Sequence, residues 1–224
     1  MKHFSSLMWL LPLLMLWSCS KRDDSPRVTA ITQGSKWTLQ IGSSPEETYR
    51  QLQALQEDRN FDRVALIHRP SYVAPEDIKD LLPYYDAMTL QSNTGRINRA
   101  VIRWGRDTIL SVETGAGLLD VVHGWPLNYP EEMSLEQGDP TDRVYEKLSR
   151  IWQIPDYQQY QIILPDKPLN LDYDPDMAHY DQWAFTFSVD LGSGRYGQYS
   201  VRLFFKKHRL AKVEITYGEG QAYA

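Results

Sequence analysis

The stretch WAFTFSVDL, residues 183–191, alternates apolar and polar side chains along its whole length. Its apolar members share one side of an extended chain: Trp183, Phe185, Phe187, Val189 and Leu191. Such a period of two is typical of a strand in an antiparallel sheet with one buried face. The run 199–206 continues the pattern after a glycine-bearing turn at 193–195, so the sequence predicts a hairpin here.

Strand-like runs come in groups of three, with one group in each half of the chain. The first group spans 87–92, 98–104 and 108–114, and the second spans 182–190, 199–206 and 210–217. Short turns rich in glycine or charged residues separate the runs, as between neighbouring strands of a meander. Each half is therefore predicted to contain a three-stranded antiparallel meander.

A helical pattern precedes each meander. SPEETYRQLQAL (44–55) and PTDRVYEKLSRI (140–151) align at a shift of 96 positions. The alignment places three apolar residues of the first segment on three of the second: Tyr49, Leu52 and Leu55 on Tyr145, Leu148 and Ile151. A spacing of three puts each set on one helical face. Each segment also has a cap residue before a proline: Ser43 or Ser44 before Pro45, and Asp139 before Pro140.

Two further matches extend the similarity between the halves. VALIHRP (64–70) lies over QYQIILP (159–165), and Tyr85-Asp86 lies over Tyr180-Asp181. We therefore predict an α+β fold of two tandem repeats, each with a helix packed on an antiparallel β-meander. The first repeat is expected at 36–115, and a linker with the second repeat at 116–224. The alternative is a chance similarity between two α+β segments.

In element order, this arrangement is similar to the tandem helix-plus-sheet modules of β-lactamase inhibitor proteins and of small outer-membrane assembly lipoproteins. The extra strand-like run at 64–69 departs from the simplest version of those modules. The resemblance implies a binding protein rather than an enzyme.

The first residues have the pattern of a secretory signal peptide. The apolar run from Phe4 to Trp17 is shorter than the roughly 20 residues that a membrane-spanning helix needs. Lys2 and His3 provide a basic start, and small residues follow the run. We therefore predict a cleaved signal peptide at 1–18.

The signal pattern ends in Leu16-Trp17-Ser18-Cys19, which resembles the lipobox of bacterial lipoprotein precursors, although Trp17 is bulkier than usual at its position. The resemblance implies cleavage between Ser18 and Cys19, with fatty acyl chains such as palmitate on Cys19 as the covalent lipid. The alternative is an ordinary signal peptide that contains a cysteine. Because Cys19 is the one cysteine of the chain, it has no partner for an internal disulfide.

The residues after Cys19 bear on location. Residues 19–35 are polar and turn-rich, and are expected to form a flexible tether behind the lipidated cysteine. Ser20, where an aspartate would imply retention in the inner membrane, implies an outer-membrane anchor by the same resemblance. The charged run Lys21–Asp24 resembles export signals of some surface-exposed lipoproteins; the alternative is a solvated linker.

The charge of the mature chain disfavours nucleic acid as a partner. Removal of residues 1–18 leaves 23 positive against 29 negative side chains, a net of −6. Nonspecific nucleic-acid binding depends on a positive surface. The expected partners are the membrane, through the lipid, and a protein or another envelope component.

The segment DYDPDMAHYD (172–181) is the strongest candidate for chemistry. Asp172, Asp174 and Asp176 are weak candidates for calcium ligands, but Met177 stands where the sharp turn of an EF-hand needs glycine. His179 with the aspartates of this segment suggests, as an alternative function, a membrane-tethered hydrolase. The sequence has no serine-nucleophile elbow and no phosphate-binding loop before a helix, so a noncatalytic binding module is favoured.

Two sets of side chains are candidates for contact with a partner. Trp125 and Tyr129 lie in the aromatic linker LLDVVHGWPLNYPEEM (118–133), and aromatic side chains on loops form good contact surfaces. The alternative is that the linker packs against the repeats. Arg99 and Arg103 are expected on the outer face of the first meander, where they suit anionic partners or are simply solvated.

Overall fold

The computed structural model describes residues 25–92 and 98–221. The predicted signal peptide, its cleavage site and the lipid-accepting Cys19 lie outside the described residues. Within the described ranges, neither helix is long and apolar enough to cross a bilayer.

The described residues form fifteen strands and two α-helices. The helices are α1 (Pro45–Asp58) and α2 (Val144–Ile151). The strands, in chain order, are β1 (Arg27–Ile31), β2 (Ser35–Lys36), β3 (Leu39–Gln40), β4 (Arg63–Leu66), β5 (Ala87–Ser92), β6 (Asn98–Trp104), β7 (Ile109–Gly115), β8 (Asp120–Val122), β9 (Gly124–Trp125), β10 (Leu135–Glu136), β11 (Tyr160–Ile163), β12 (Lys167–Pro168), β13 (Gln182–Gly192), β14 (Arg195–Lys206) and β15 (Arg209–Gln221).

The strands assemble into two large antiparallel sheets, which give an α+β fold with much more strand than helix. One sheet has six strands in the order β1-β15-β14-β13-β4-β12, and the other has five in the order β11-β5-β6-β7-β8. The small pairs β2-β3 and β9-β10 complete the sheets of the described residues. The predicted hairpin between β13 and β14 is confirmed, and its turn uses positive φ at Gly192 and Gly194.

Each large sheet contains strands from both halves of the chain. β4, from the first half, pairs with β13, where Leu66 lies opposite Trp183. β11, from the second half, pairs with β5, where Ile162 lies opposite Leu90. The far edges follow the same rule, because β1 pairs with β15 and β8 pairs with β7. Each meander is therefore flanked by strands from the other half, and β12 forms the edge next to β4.

The helices also cross over. α1 buries Tyr49, Leu52 and Leu55 in the core of the six-stranded sheet, beside Trp183 and Phe185. α2 buries its own apolar face in the core of the five-stranded sheet: Val144, Leu148 and Ile151 beside Met88, Leu90 and Ile102. The expectation that each helix covers the meander of its own half is therefore corrected. Helical periodicity identifies the apolar face of a helix, but not the sheet that this face meets.

The structure also changes the expected tether and the expected start of α2. Residues 27–31 form β1, so this part of the predicted tether belongs to the six-stranded sheet. α1 starts as expected, since Ser44 and Glu47 form a reciprocal capping box. α2 instead begins at Val144, after a short 3₁₀ turn. Asp139 does not cap it, because its carboxylate binds the buried ammonium of Lys147 at 2.6 Å.

Because both sheets need strands from both halves, the halves are expected to fold only together. We expect the fragments 25–117 and 118–224, made separately, to lack fixed tertiary structure, and an equimolar mixture to recover it. Near-ultraviolet circular dichroism of the fragments, of the mixture and of the intact chain measures this. Two fragments that each unfold cooperatively as monomers would contradict the exchange.

Candidate functional site

A cleft of about 770 Å³ opens where segments from both halves of the chain meet. Its walls come from residues 79–86, from the turn between β6 and β7, from the start of α2, and from the loop at 170–171. The lining residues are Lys79, Leu82, Pro83, Tyr85, Asp86, Trp104, Gly105, Arg106, Thr141, Asp142, Val144, Tyr145, Asn170 and Leu171. The cleft is therefore a product of the exchange between the halves.

Three aromatic side chains give the cleft its apolar walls. Tyr85 is buried, and its backbone carbonyl accepts a hydrogen bond from the indole nitrogen of Trp104 at 2.7 Å. This bond fixes the orientation of the indole ring. Tyr145 lies in the first turn of α2 and is half-buried, and the Nζ atom of Lys79 lies 5.0 Å from its ring centroid. Because Tyr85 and Trp104 are buried, Tyr145 is the most accessible of the three rings.

The charged groups of the cleft have both signs. Lys79, Arg106 and Asp142 are exposed. Asp86 is held by Arg63 in a bidentate ion pair with distances of 3.0 and 2.5 Å. Its hydrogen bonds raise the pKa of the Arg63 guanidinium. Asp86 is therefore structural, and the three exposed groups remain to orient a ligand.

Lys167 lies below this cleft and is completely buried. Its Nζ atom donates hydrogen bonds to Tyr49 Oη and to the carbonyl of Pro168, each at 2.9 Å. Among the described residues, no carboxylate lies within ion-pair distance of this ammonium group. Burial lowers its pKa to about 8.

A second buried chain of hydrogen bonds runs beside Lys167. Arg69 donates from Nη1 to Tyr85 Oη at 2.5 Å, and Tyr85 donates to Asp174 Oδ2 at 3.0 Å. The other carboxylate oxygen of Asp174 accepts from the backbone of Asp176 at 2.9 Å. Burial raises the pKa of Asp174, and it also raises the pKa of Tyr85.

These bonds join the two cores. Tyr49 belongs to the core of the six-stranded sheet and Tyr85 to the core of the five-stranded sheet. Tyr49 Oη also lies 2.8 Å from the carbonyl oxygens of Pro168 and Leu171, which holds the loop that supplies Leu171 to the cleft. The floor of the cleft is therefore fixed from both sides.

A smaller cleft of about 560 Å³ lies on the other side of this buried network. Its lining residues are Glu46, Tyr49, Arg50, Gln53, Asp172, Tyr173 and Pro175. Tyr49 is fully buried by the network, whereas the corresponding Tyr145 of the larger cleft stays half-buried. The tyrosine ring of the larger cleft is thus more accessible than that of the smaller one.

The aspartates proposed as calcium ligands point to different partners. Asp172 is exposed, Asp174 faces the buried Tyr85, and Asp176 Oδ1 lies 3.0 Å from His179 Nδ1. In the described part of the chain, no group of three or more His, Cys, Asp or Glu side chains is placed to hold a metal ion. The side chain of His179 is 75% exposed and lines neither cleft.

The linker aromatics pack inside the protein. Trp125 is only 4% exposed, and its ring contacts Tyr157 and Tyr160 at centroid distances of 4.9 and 5.4 Å. Tyr129 is half-buried against Tyr157. This corrects the expectation of an accessible Trp125. β9 pairs with β10, which places Trp125 opposite the buried Leu135 and turns the indole into the core.

The arginines of the first meander lie outside both clefts. Arg103 is exposed and lies 3.4 Å from Glu113 in an ion pair. Arg99 is half-buried and donates to the carbonyl of Gly117 at 3.2 Å. Neither residue meets the aromatic walls described above.

Sequence reasoning missed the residues that build the larger cleft. The sequence presents Tyr85-Asp86 and Tyr145 only as matching positions of two repeats. Nothing in the sequence around Lys167, which lies between Asp166 and Pro168, indicates that this side chain is buried. Its burial follows from contacts with Tyr49, which is 118 residues away in the chain.

Comparisons with protein-family models, with curated proteins and with solved structures found no match for this chain.

The buried amine of Lys167 should make stability depend on pH. Between its folded pKa of about 8 and its ordinary value of 10.5, the unfolded chain holds a proton that the folded protein has released. Stability therefore rises with pH across this window. Relative to Lys167→Met, the free energy of unfolding of the native protein should rise by on the order of 2 to 3 kcal/mol from pH 8 to pH 10.5.

Urea denaturation of both proteins at several pH values measures this difference. Both proteins contain the same tyrosines, so the contribution of tyrosine ionisation to the pH dependence cancels in the comparison. A difference that does not change with pH would show that Lys167 is not the titrating group.

Proposed function

We propose that this protein is a lipid-anchored, noncatalytic binding module of the cell envelope, and that the larger cleft receives its ligand. The observation that carries the proposal is the combination of aromatic walls with a floor fixed by buried hydrogen bonds. The cleft volume of about 770 Å³ lies within the range of known ligand sites. The ligand would be a part of another protein or of an envelope component.

The position of His179 favours binding over the hydrolase alternative. A general base must reach the reacting group within hydrogen-bond distance. His179 and Asp176 form an exposed pair outside both clefts. The larger cleft offers instead aromatic surface with Lys79, Arg106 and Asp142, a set suited to hold and orient a ligand.

We further propose that the two halves arose as tandem repeats, and backbone contacts support this. The NH group of Leu210 donates to the carbonyl of Ser43 at 2.8 Å, and Ile109 donates to Asp139 at the same distance. The preceding glycines, Gly42 and Gly138, have φ values of +97° and +95°. The NH group of each glycine donates back to the partner strand: Gly42 to the carbonyl of Leu210 at 2.8 Å, and Gly138 to that of Ile109 at 2.9 Å.

Side-chain contacts and sheet irregularities recur in the same places. Gln51 Nε2 donates to Ser43 Oγ at 2.9 Å. At the positions 96 residues later, Lys147 Nζ donates to Asp139 Oδ1 at 2.6 Å. The register of the sheet shifts between Arg103 and Trp104 in one meander and between Phe204 and Phe205 in the other. Beside these shifts, the backbone NH of Trp104 donates to the carbonyl of Asp86, and the backbone NH of Phe205 donates to that of Asp181.

The proposed duplication gives the two clefts a common origin. Glu46 and Tyr49 of the smaller cleft match Asp142 and Tyr145 of the larger one at a shift of 96. In the smaller cleft the tyrosine hydroxyl is committed to Lys167. The larger cleft keeps its tyrosine ring accessible, which supports its assignment as the binding site.

The lipid anchor is supported by the sequence alone. We propose acylation of Cys19 and an outer-membrane location, and the charged run that follows supports export to the cell surface. Two or more acyl chains hold a protein stably to a bilayer without a spanning helix.

A Cys19→Ala variant tests the anchor. We expect it to lose incorporation of labelled palmitate and to leave the membrane fraction, because the thiol is the proposed attachment point. Metabolic labelling and fractionation of the envelope measure both effects. A variant that remains fully membrane-bound, with a native protein that takes up no label, would contradict the anchor.

A photo-crosslinker in the cleft tests the binding site. We expect benzoylphenylalanine in place of Tyr145 to give a discrete adduct in intact envelopes, because this ring is the accessible wall of the larger cleft. The matched control is the same crosslinker at Tyr129, a half-buried tyrosine outside the cleft. Adducts are compared by mass spectrometry after ultraviolet exposure.

Addition of Lys79→Glu should reduce the Tyr145 adduct at least several-fold, since Lys79 lies against this ring. An adduct formed only at Tyr129, or at neither position, would contradict a ligand in the larger cleft.

A further inference from the structure

The six-stranded sheet has two unlike ends. Its central strand β14 runs for 12 residues, a length of about 36 Å from end to end. At one end is the sheet tip, formed by residues 190–196 with the end of β15 at 217–221. At the other end is the basic hairpin, residues 206–209, whose four side chains are all exposed: Lys206, Lys207, His208 and Arg209.

The sheet tip carries apolar side chains that water reaches. Leu191 is 37% exposed and Tyr196 is 36% exposed. On the adjacent edge strand, Val28 is 64% exposed. These are the large exposed apolar side chains of the six-stranded sheet among the described residues, since the others lie between residues 73 and 127.

Tyrosine rings cover the backbone at the tip. A Cβ atom on Gly197 would come within 2.8 Å of the Tyr217 ring, and one on Gly220 within 2.4 Å of the Tyr196 ring. The glycines therefore let both rings lie against the neighbouring strands. Tyr217 also packs on Tyr199 at a centroid distance of 4.8 Å. The tip is thus a firm aromatic surface rather than a loose hairpin.

The charges of the tip are compensated locally. Glu219 lies 3.8 Å from Arg195 and accepts a hydrogen bond from Tyr217 Oη at 3.1 Å. The carboxylate of Asp190 accepts from the backbone of Gly192 at 2.7 Å. Paired charges, tyrosines and one leucine form the mixture that suits the boundary between lipid headgroups and acyl chains.

The direction of β1 brings the start of the chain toward this tip. Arg27 lies opposite Tyr217 and Ile31 opposite Val213, so the chain before Arg27 leads toward the end of β15. Cys19 lies eight positions earlier and is at most about 28 Å from Arg27. From the level of Arg27, the sheet tip is about 13 Å away along the strands, and the basic hairpin about 26 Å away in the opposite direction.

We propose that the sheet tip faces the lipid surface in the anchored protein, with Leu191 and Tyr196 at the headgroup boundary. This inference rests on the proposed acylation of Cys19. The lipid supplies the affinity, and the tip sets the orientation, because so small an apolar surface does not hold a protein to a bilayer by itself. None of the tip residues lines the larger cleft, so the cleft stays open to its ligand.

Two matched labelling sites test the orientation. Ser193 and Lys207 are both exposed turn residues with positive φ, of 56° and 52°, at opposite ends of the sheet. Ser193→Cys and Lys207→Cys are made in the full-length lipidated protein, where acylation occupies Cys19, and each is labelled with a fluorophore. The proteins are reconstituted in vesicles of phosphatidylethanolamine and phosphatidylglycerol that contain brominated lipid.

We expect the bromine atoms to quench the label at 193 at least three-fold more than the label at 207. The double change Leu191→Ser and Tyr196→Ser should remove most of this difference while the protein stays on the vesicles. Circular dichroism checks that this variant keeps its fold.

Equal quenching at both sites, or stronger quenching at 207, in a protein that is acylated and vesicle-bound would overturn the orientation alone. A protein without acyl chains that does not bind vesicles would overturn the proposed anchor, and the orientation with it. A difference that persists unchanged in the double variant would show that the tip side chains do not set the orientation.

Discussion

The exchange of flanking strands and helices between the two halves is the constraint on which the rest of this structure depends. Each apolar sheet face is covered by a helix from the other half, so neither core closes without the other. The chain must therefore cross between the sheets twice, through the segments 67–86 and 164–166. These crossings bring Lys167 Nζ to 5.9 Å from the centroid of the Tyr85 ring. The larger cleft is lined by residues of the first crossing and by Asn170 and Leu171, which follow the second.

The crossing segments bring backbone carbonyl groups into the interior, where they need hydrogen-bond donors. The buried network supplies these donors. Arg69 and Lys167 donate to three carbonyl oxygens in or just after the second crossing, those of Leu164, Pro165 and Pro168. A buried ammonium without an ion pair costs stability, since desolvation is only partly offset by neutral acceptors. In return, its directional bonds fix one arrangement of the junction. The rigidity of the cleft floor and the lowered pKa of Lys167 are thus two results of the same burial.

The sequence predicted local structure well and long-range partners poorly. The alternation in residues 183–191 identified β13, and the stripe of Tyr49, Leu52 and Leu55 identified the buried face of α1, because both patterns depend on neighbours along the chain. Which apolar surfaces meet depends on contacts that periodicity does not encode. The same limit explains Trp125, whose loop composition suggested exposure, and Asp139, whose place before a proline suggested a cap. The cleft was missed because its walls come from four separate segments.

The pairing of β1 with β15 has a consequence for how the protein is made. Residue 27 pairs with residue 217, so the six-stranded sheet cannot close until almost the whole chain is available. The five-stranded sheet waits for β11, at 160–163. Contacts of such long range slow folding. A chain that passes through a membrane with its first residues leading would therefore remain extended during its transit, and would acquire its fold only after its last strand arrived.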